Sequence, residues 1–275
     1  MKKRVKVSIV IVSFKKNLEL FACLKSIYQY PLNYSFEVNV VDNAQDKKLE
    51  NNLNRKFPKV QYIKSPINGG YGAGNNLGVK NSQGEYILIL NPDTKFIDKS
   101  MNNLVVFLDT HKKATIVGPN LIHSNGVVFS QLGSRILTPL RAIFSLSIIN
   151  KLLPNNPIAK NYWMYDTRLD ILRRVDVVPG SGLLVRRKDF KAIGGFDENF
   201  FMYFEESDLC KRLSGEKYIN PEAQIIHYWS PGDPGTLASE KIFRKSRFYY
   251  FKKHYGIIWA IIVDFVTRLG RRFFV

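Results

Sequence analysis

The sequence predicts an α/β protein: a mostly parallel central sheet flanked by helices, with a helical C-terminal extension. Three observations lead there. A β-branched run over residues 5–12 gives way at once to helical periodicity, short apolar runs then alternate with helix-like stretches, and the chain of 275 residues, 45% hydrophobic, is long enough for a substantial core.

Val5 to Val12 suits a strand buried on both faces, and Leu20, Phe21, Leu24, Ile27 and Tyr28 follow with helical spacing. "FEVNVVDNAQD" supplies a second strand ending at Asp42 and "VQYIKS" a third. "YILILNPDT" supplies a fourth that ends at Asn91 to Asp93, preceded by the helix-like "GNNLGVKNSQG". From about Gln131 to Arg174 the pattern breaks into an apolar, basic stretch interrupted by Pro139, Pro154 and Pro157, read as an insertion of short helices. Regular α/β character returns with "VDVVPGSGLLVRRKDF", and "EAQIIHYW" is a short strand carrying His227. The expected organisation is one α/β domain over 1–235 and a basic amphipathic helical segment over 236–275.

Lys and Arg number 41 against 23 acids, a net charge of +18 that favours an anionic partner. A basic nucleic-acid-binding protein is the alternative of a different class, but it explains less: the bases are spread along the chain with no reader motif, and such a role leaves the acidic positions unexplained. Cys23 and Cys210 form no CxxC or CxxH pattern, which argues against a disulfide framework or a zinc site. The apolar run in "MKKRVKVSIVIVSF" is short, β-branched and without a small-residue cleavage site, so it reads as a strand and the protein as cytoplasmic.

Ligands of parallel α/β sheets bind beyond the carboxyl ends of the strands, where Asp42 and Asp93 fall. Turn chemistry is the alternative for each. Between them lies "NGGYGAGNN". Gly72, Gly74 and Gly78 do not match G-x-G-x-x-G, leaving either a close backbone approach to another ligand or a tight loop. "LNPD" places a carboxylate where a hard divalent cation can be held with help from phosphate oxygens, and His227 is a further ligand or a structural strand histidine. In "FMYFEESDL", Glu206 opens a helix, while Phe201, Tyr203 and Phe204 desolvate it toward the pKa of a general base. The alternative is that Glu205, Glu206 and Asp208 are first-turn acids paired with Lys211 and Arg212.

The order of these features, strand-end Asp42, Asn68-Gly-Gly with Gly72 and Asn75-Asn76, "LNPD", "GSGLLVRRKDFKAIGGFDENFF", "EESDL" and His227, resembles the inverting nucleotide-sugar glycosyltransferases of family 2, bacterial rhamnosyltransferases in particular. The resemblance spans roughly Val5 to Pro231. It implies a GT-A fold, a nucleotide-diphosphate sugar donor, thymidine-diphosphate-rhamnose preferred over a uridine-linked hexose, and Mn2+ or Mg2+. It places Ser13 and Phe14 at the nucleotide base, Asp42 at base or ribose, and Asn68, Gly69, Gly70 and Asn75 beside the nucleotide and diphosphate. Asn91 stands where many relatives carry the first Asp of a D-x-D metal motif, Asp93 is the implied metal ligand, and His227 falls where some relatives add an imidazole. Glu206 is the implied catalytic base, Glu205 an acceptor contact, and Gly180 a substrate contact.

The implied acceptor is a glycan, suited by the 131–174 insertion to a polyprenyl-diphosphate carrier. Phe248 to Val275 sets aromatic and aliphatic residues among Lys252, Lys253, Arg268, Arg271 and Arg272, with an apolar run too short to span a bilayer. It is expected to lie on the inner face of the plasma membrane, or else to pack on the domain or form a homodimer contact.

Overall fold

A computed structural model describes residues 4–130, 132–228 and 237–272, with side chains described as far as 268. The Trp229 to Gly232 stretch, the expected 235/236 boundary and the side chains of Arg271 and Arg272 lie outside the described residues.

Strand β1 (Val7–Ser13) is buried at every position and pairs in parallel with β2 (Phe36–Asp42) on one side and β4 (Tyr86–Leu90) on the other; β3 (Val60–Lys64) extends the parallel half beyond β2. The other half of the sheet is mixed. Strand β8 (Gly182–Arg186) runs antiparallel to β4 and to β6 (Ala114–Ile122), β9 (Glu216–His227) runs parallel to β6, and β5 (Thr94–Phe96) closes the order β3-β2-β1-β4-β8-β6-β9-β5. Strand β7 (Arg173–Val175) pairs with β9 off this path.

Helix α1 (Asn17–Gln29) buries Leu20, Cys23, Leu24 and Ile27 against one face, as its spacing predicts. Helix α3 (Gly70–Lys80) covers the other, and its glycines are spent on that packing: a Cβ at Gly74 would stand 2.7 Å from Val12 Cγ1, and one at Gly78 2.3 Å from Val10 Cγ1. Helix α2 (Lys47–Lys56), capped by Asp46, escapes periodicity because only Leu49 and Leu53 are buried.

The 131–174 stretch contains α5 (Pro139–Leu146), α6 (Ile148–Leu152) and α7 (Pro157–Trp163), capped by Thr138, Ser147 and Asn156. Residues 237–272 form two helices joined at Gly256: α10 (Leu237–Tyr255) and α11 (Ile257–Arg272). Leu137, Ala142 and Tyr162 from the stretch, Phe200 and Phe204, and Tyr250, Phe251, Ala260 and Val263 from the two helices pack as one apolar cluster. Tyr250 and Phe251, from the stretch expected to lie on a membrane or else to pack on the domain, are core residues, and Arg247 ties α10 to Asp264 of α11 at 3.0 Å.

Candidate active site

Helix α9 (Glu205–Arg212) follows a turn in which Tyr203 and Phe204 both adopt left-handed backbone, φ 71° and 68°. Bulky aromatics rarely accept that conformation, and such strain gathers at functional sites. Phe204 is held by Phe243 and Tyr250, and Tyr203 packs edge-on against Phe243 while also lining a cavity. The turn is also pinned to α3: Tyr71 N–H donates to Phe201 O at 2.9 Å, and Gly70, at φ +87°, presses its backbone against the same carbonyl. The glycine stretch and "FMYFEESDL", about 130 residues apart, thus form one wall.

That wall borders a cavity of about 680 Å3 at the end of the sheet where β4 stops. Asn91, Asp93, Gly180, Glu205, Glu206 and His227 all line it. Ser13, Phe14, Asp42, Asn68, Gly69, Gly70 and Asn75 do not; Ser13, Phe14 and Asp42 stand at the ends of β1 and β2, Asn68 and Gly69 lead into α3, and Gly70 and Asn75 belong to it. Ser13 pairs in register with Asp42, and both are fully buried. The Asp42 carboxylate accepts the N–H groups of Ala44 and Asp46 and the Tyr62 hydroxyl, so it organises its own turn. Asn68 Oδ1 likewise accepts Gly70 N–H, at 3.2 Å.

Strand pairing joins the acidic and imidazole groups. Thr94 of β5 stands opposite His227 of β9, which sets Asp93 Oδ1 3.4 Å from His227 Nε2. Burial opposes ionisation of Asp93, yet the adjoining imidazole and the more distant Lys16 charge hold its pKa below the usual value. Across the cavity, burial and the charge of its neighbour push the Glu205 pKa well up, and burial raises that of Glu206. One oxygen of each is buried without a hydrogen-bond partner, and Oδ1 of Asp93 has only the long approach of His227 Nε2. Orphaned carboxylate oxygens around one cavity are costly unless a ligand supplies donors or a cation.

The acids of "EESD" separate at this point. Asp208 is fully buried and bonded to Arg212 at 2.7 Å, His254 at 2.8 Å and Lys253 at 2.6 Å. The predicted pairing with Arg212 is present, but it anchors α9 to α10 and belongs to the scaffold. Lys211 instead lies over the Tyr255 ring.

The model of glycosyl transferase family 2 matches residues 8–194. The chain belongs to glycosyl transferase family 2. Among its relatives, this family 2 chain is 27% identical over 223 residues to the low-salt glycan biosynthesis hexosyltransferase Agl10 of Haloferax volcanii, covering 80% of the chain and 65% of that protein. It is 29% identical over 209 residues to the N-acetylglucosaminyl-diphospho-decaprenol L-rhamnosyltransferase of Mycobacterium tuberculosis, covering 70% of the chain and 66% of the relative. The matched stretch thus spans just under two thirds of either relative. The fold is shared with GalNAc-T7, solved with UDP, GalNAc and Mn2+, at a TM-score of 0.63 and 14% identity, over 92% of this chain and 51% of that one.

Among the described residues no helix is long and apolar enough to cross a membrane, and no group of three His, Cys, Asp or Glu side chains is placed to hold a metal. For this family 2 chain a cation would rest on Asp93 and His227 alone. The Asp93 carboxylate and the His227 imidazole, 3.4 Å apart, make an oxygen-plus-imidazole donor set that fits a metal taking its remaining ligands from phosphate and water. Several lining residues carry no sequence signal. His123, stacked on Phe129 with ring centroids 3.7 Å apart, reaches the cavity from the end of β6, and Trp163 from α7. Tyr71 donates its hydroxyl to Gly180 O, and burial beside the two glutamates raises its pKa well above the usual value.

Proposed function

We propose that this chain transfers a sugar, with inversion, from a nucleotide-diphosphate donor to a hydroxyl of a growing lipid-linked bacterial surface polysaccharide. The observation that carries the reading is the convergence of the Asp93–His227 pair with Glu205 and Glu206 on one cavity, each glutamate with an unpaired buried oxygen.

In the proposed reaction the acceptor oxygen attacks the anomeric carbon from the face opposite the diphosphate. A new carbon–oxygen bond forms, the bond to the diphosphate oxygen breaks, and the hydroxyl proton passes to Glu206. Glu206 is the stronger candidate for base because it is more open than Glu205 and borders a second cavity. Its raised pKa suits proton uptake near neutral pH. A divalent cation held by Asp93 and His227 would supply charge neutralisation at the departing diphosphate. Glu205, on the same cavity, would contact the acceptor.

The second cavity, about 230 Å3, shares Trp163, Pro179, Tyr203 and Glu206 with the first and continues along Leu146 and Phe243. An apolar annex beside the proposed base supports an acceptor with a hydrocarbon carrier. L-rhamnose from thymidine-diphosphate-rhamnose is the preferred donor, supported by the rhamnosyltransferase relative; the hexosyltransferase relative supports a uridine-linked hexose as the second reading.

The test is a thermal-shift panel of nucleotide sugars with Mn2+ or Mg2+, since a bound donor raises the midpoint by mass action. One nucleotide sugar is expected to shift the wild type only with metal, and Asp93→Ala to lose that shift. No shift with any donor, or an Asp93→Ala shift equal to wild type, argues against the reading.

A further inference from the structure

The two faces of α11 are both apolar. Ala260, Val263 and Thr267 are buried toward the domain, while Ile257, Ile258, Trp259, Ile261, Ile262 and Phe265 face outward. Ile258 is 70% exposed, Ile261 57% and Phe265 62%. At 100° per residue the outward positions 257, 258, 261, 262 and 265 form one stripe. Helix α6, which packs on α11, adds Leu152 at its end and Leu153 just beyond it, 66% and 57% exposed. Soluble proteins rarely leave an apolar patch of this kind uncovered.

The surrounding charge selects the partner. From Thr110 to Tyr165 the chain holds no Asp or Glu, and from Lys241 to Arg272 it holds nine Lys and Arg and the single acid Asp264. That acid faces inward to Arg247 and is also bridged by Arg268. An apolar stripe on a segment of this basic sequence matches an anionic interface with hydrocarbon beneath it. A second copy of the chain would bring like charge against like.

We propose that the outward face of α11 docks on an anionic lipid bilayer, with the helix lying in the interface plane and its inward face still packed on α5 and α6. Sixteen residues with Asp264 and Arg268 among them lie along a bilayer and do not cross it. The annex beside Glu206 is lined by Leu146 of α5 and Trp163 of α7, so docking would hold that side of the catalytic cavity near the membrane.

The experiment sediments the full chain with phosphatidylcholine vesicles, with and without phosphatidylglycerol, in the absence of donor and acceptor. Its outcome is therefore independent of the sugar chemistry. Wild type is expected to bind the anionic vesicles and to weaken with salt. The triple variant Ile258→Ser, Ile261→Ser, Phe265→Ser is expected to bind about tenfold or more weakly, with an unchanged thermal midpoint, and Ile258→Ser alone to shift binding in the same direction. Absence of wild-type binding, or equal binding by the triple variant, overturns the proposal. So does a wild-type dimer, seen by light scattering, that the triple variant dissolves, because it assigns the face to a second copy.

Discussion

Glu205 and Glu206 are adjacent acids that share one cavity, and each leaves an oxygen without a donor. Burial raises both pKa values, so each folded-state carboxyl holds its proton to higher pH than a free Glu, about 4.3. A base must be deprotonated to work, so turnover should climb with pH through that raised value. In a profile of kcat/KM against pH, the acidic limb is expected above the ordinary carboxylate range. Glu206→Gln should lose about a hundredfold or more in kcat while keeping donor affinity. Near-wild-type turnover would move the role to Glu205. Motif order alone singled out Asp93, Glu206 and His227, and the fold brings all three to one cavity. Which glutamate is more open was not legible in the sequence, because adjacent residues on a helix differ only in the neighbours that the fold brings to them.

At the scale of elements, α3 and the 201–206 turn behave as one unit. Gly70 has φ +87°, and a Cβ there would lie 1.9 Å from Phe201 O, a backbone atom that cannot swing aside. Gly70→Ala should cost about 2–4 kcal/mol from strain and overlap together. It should also depress activity by displacing the turn that leads into Glu205 and Glu206. Gly126 shares the positive φ with nothing within 4 Å of its Cβ position, so Gly126→Ala reports strain alone. Equal melting temperatures for the two variants would show that the Phe201 contact is not tight. Strand β6 shows why element reading stops short. "ATIVGPNLI" is buried at all nine positions, yet Gly118, Pro119 and Asn120 carry turn chemistry, and only its place between β8 and β9 makes it a strand.

Across the whole molecule, Asp208 joins the cavity wall to α10. Burial alone would raise its pKa, but His254, Lys253 and Arg212 override that and hold it below the usual value. A depressed carboxylate pKa contributes stability that is present above the unfolded value, about 3.9, and is lost as pH falls toward the folded one. Asp208→Asn should therefore destabilise by about 2–4 kcal/mol at neutral pH, a figure reduced for the partial exposure of its partners. The difference should shrink in acid unfolding experiments. A pH-independent difference would assign the effect to packing instead of charge.

Local periodicity, composition and motif order were enough for the α/β class, the strand-end positions of Asp42 and Asp93, the acids of "EESDL" and the basic, apolar character of the tail. They could not say that the glycines of α3 serve packing, that Asp208 is an anchor, or that Asp93 meets His227 through β5 and β9. Nor could they separate Phe251 of the tail, which is core, from Ile258, which is not. Each of those outcomes depends on which distant segment fills the space beside a residue, and long-range pairing alone sets that.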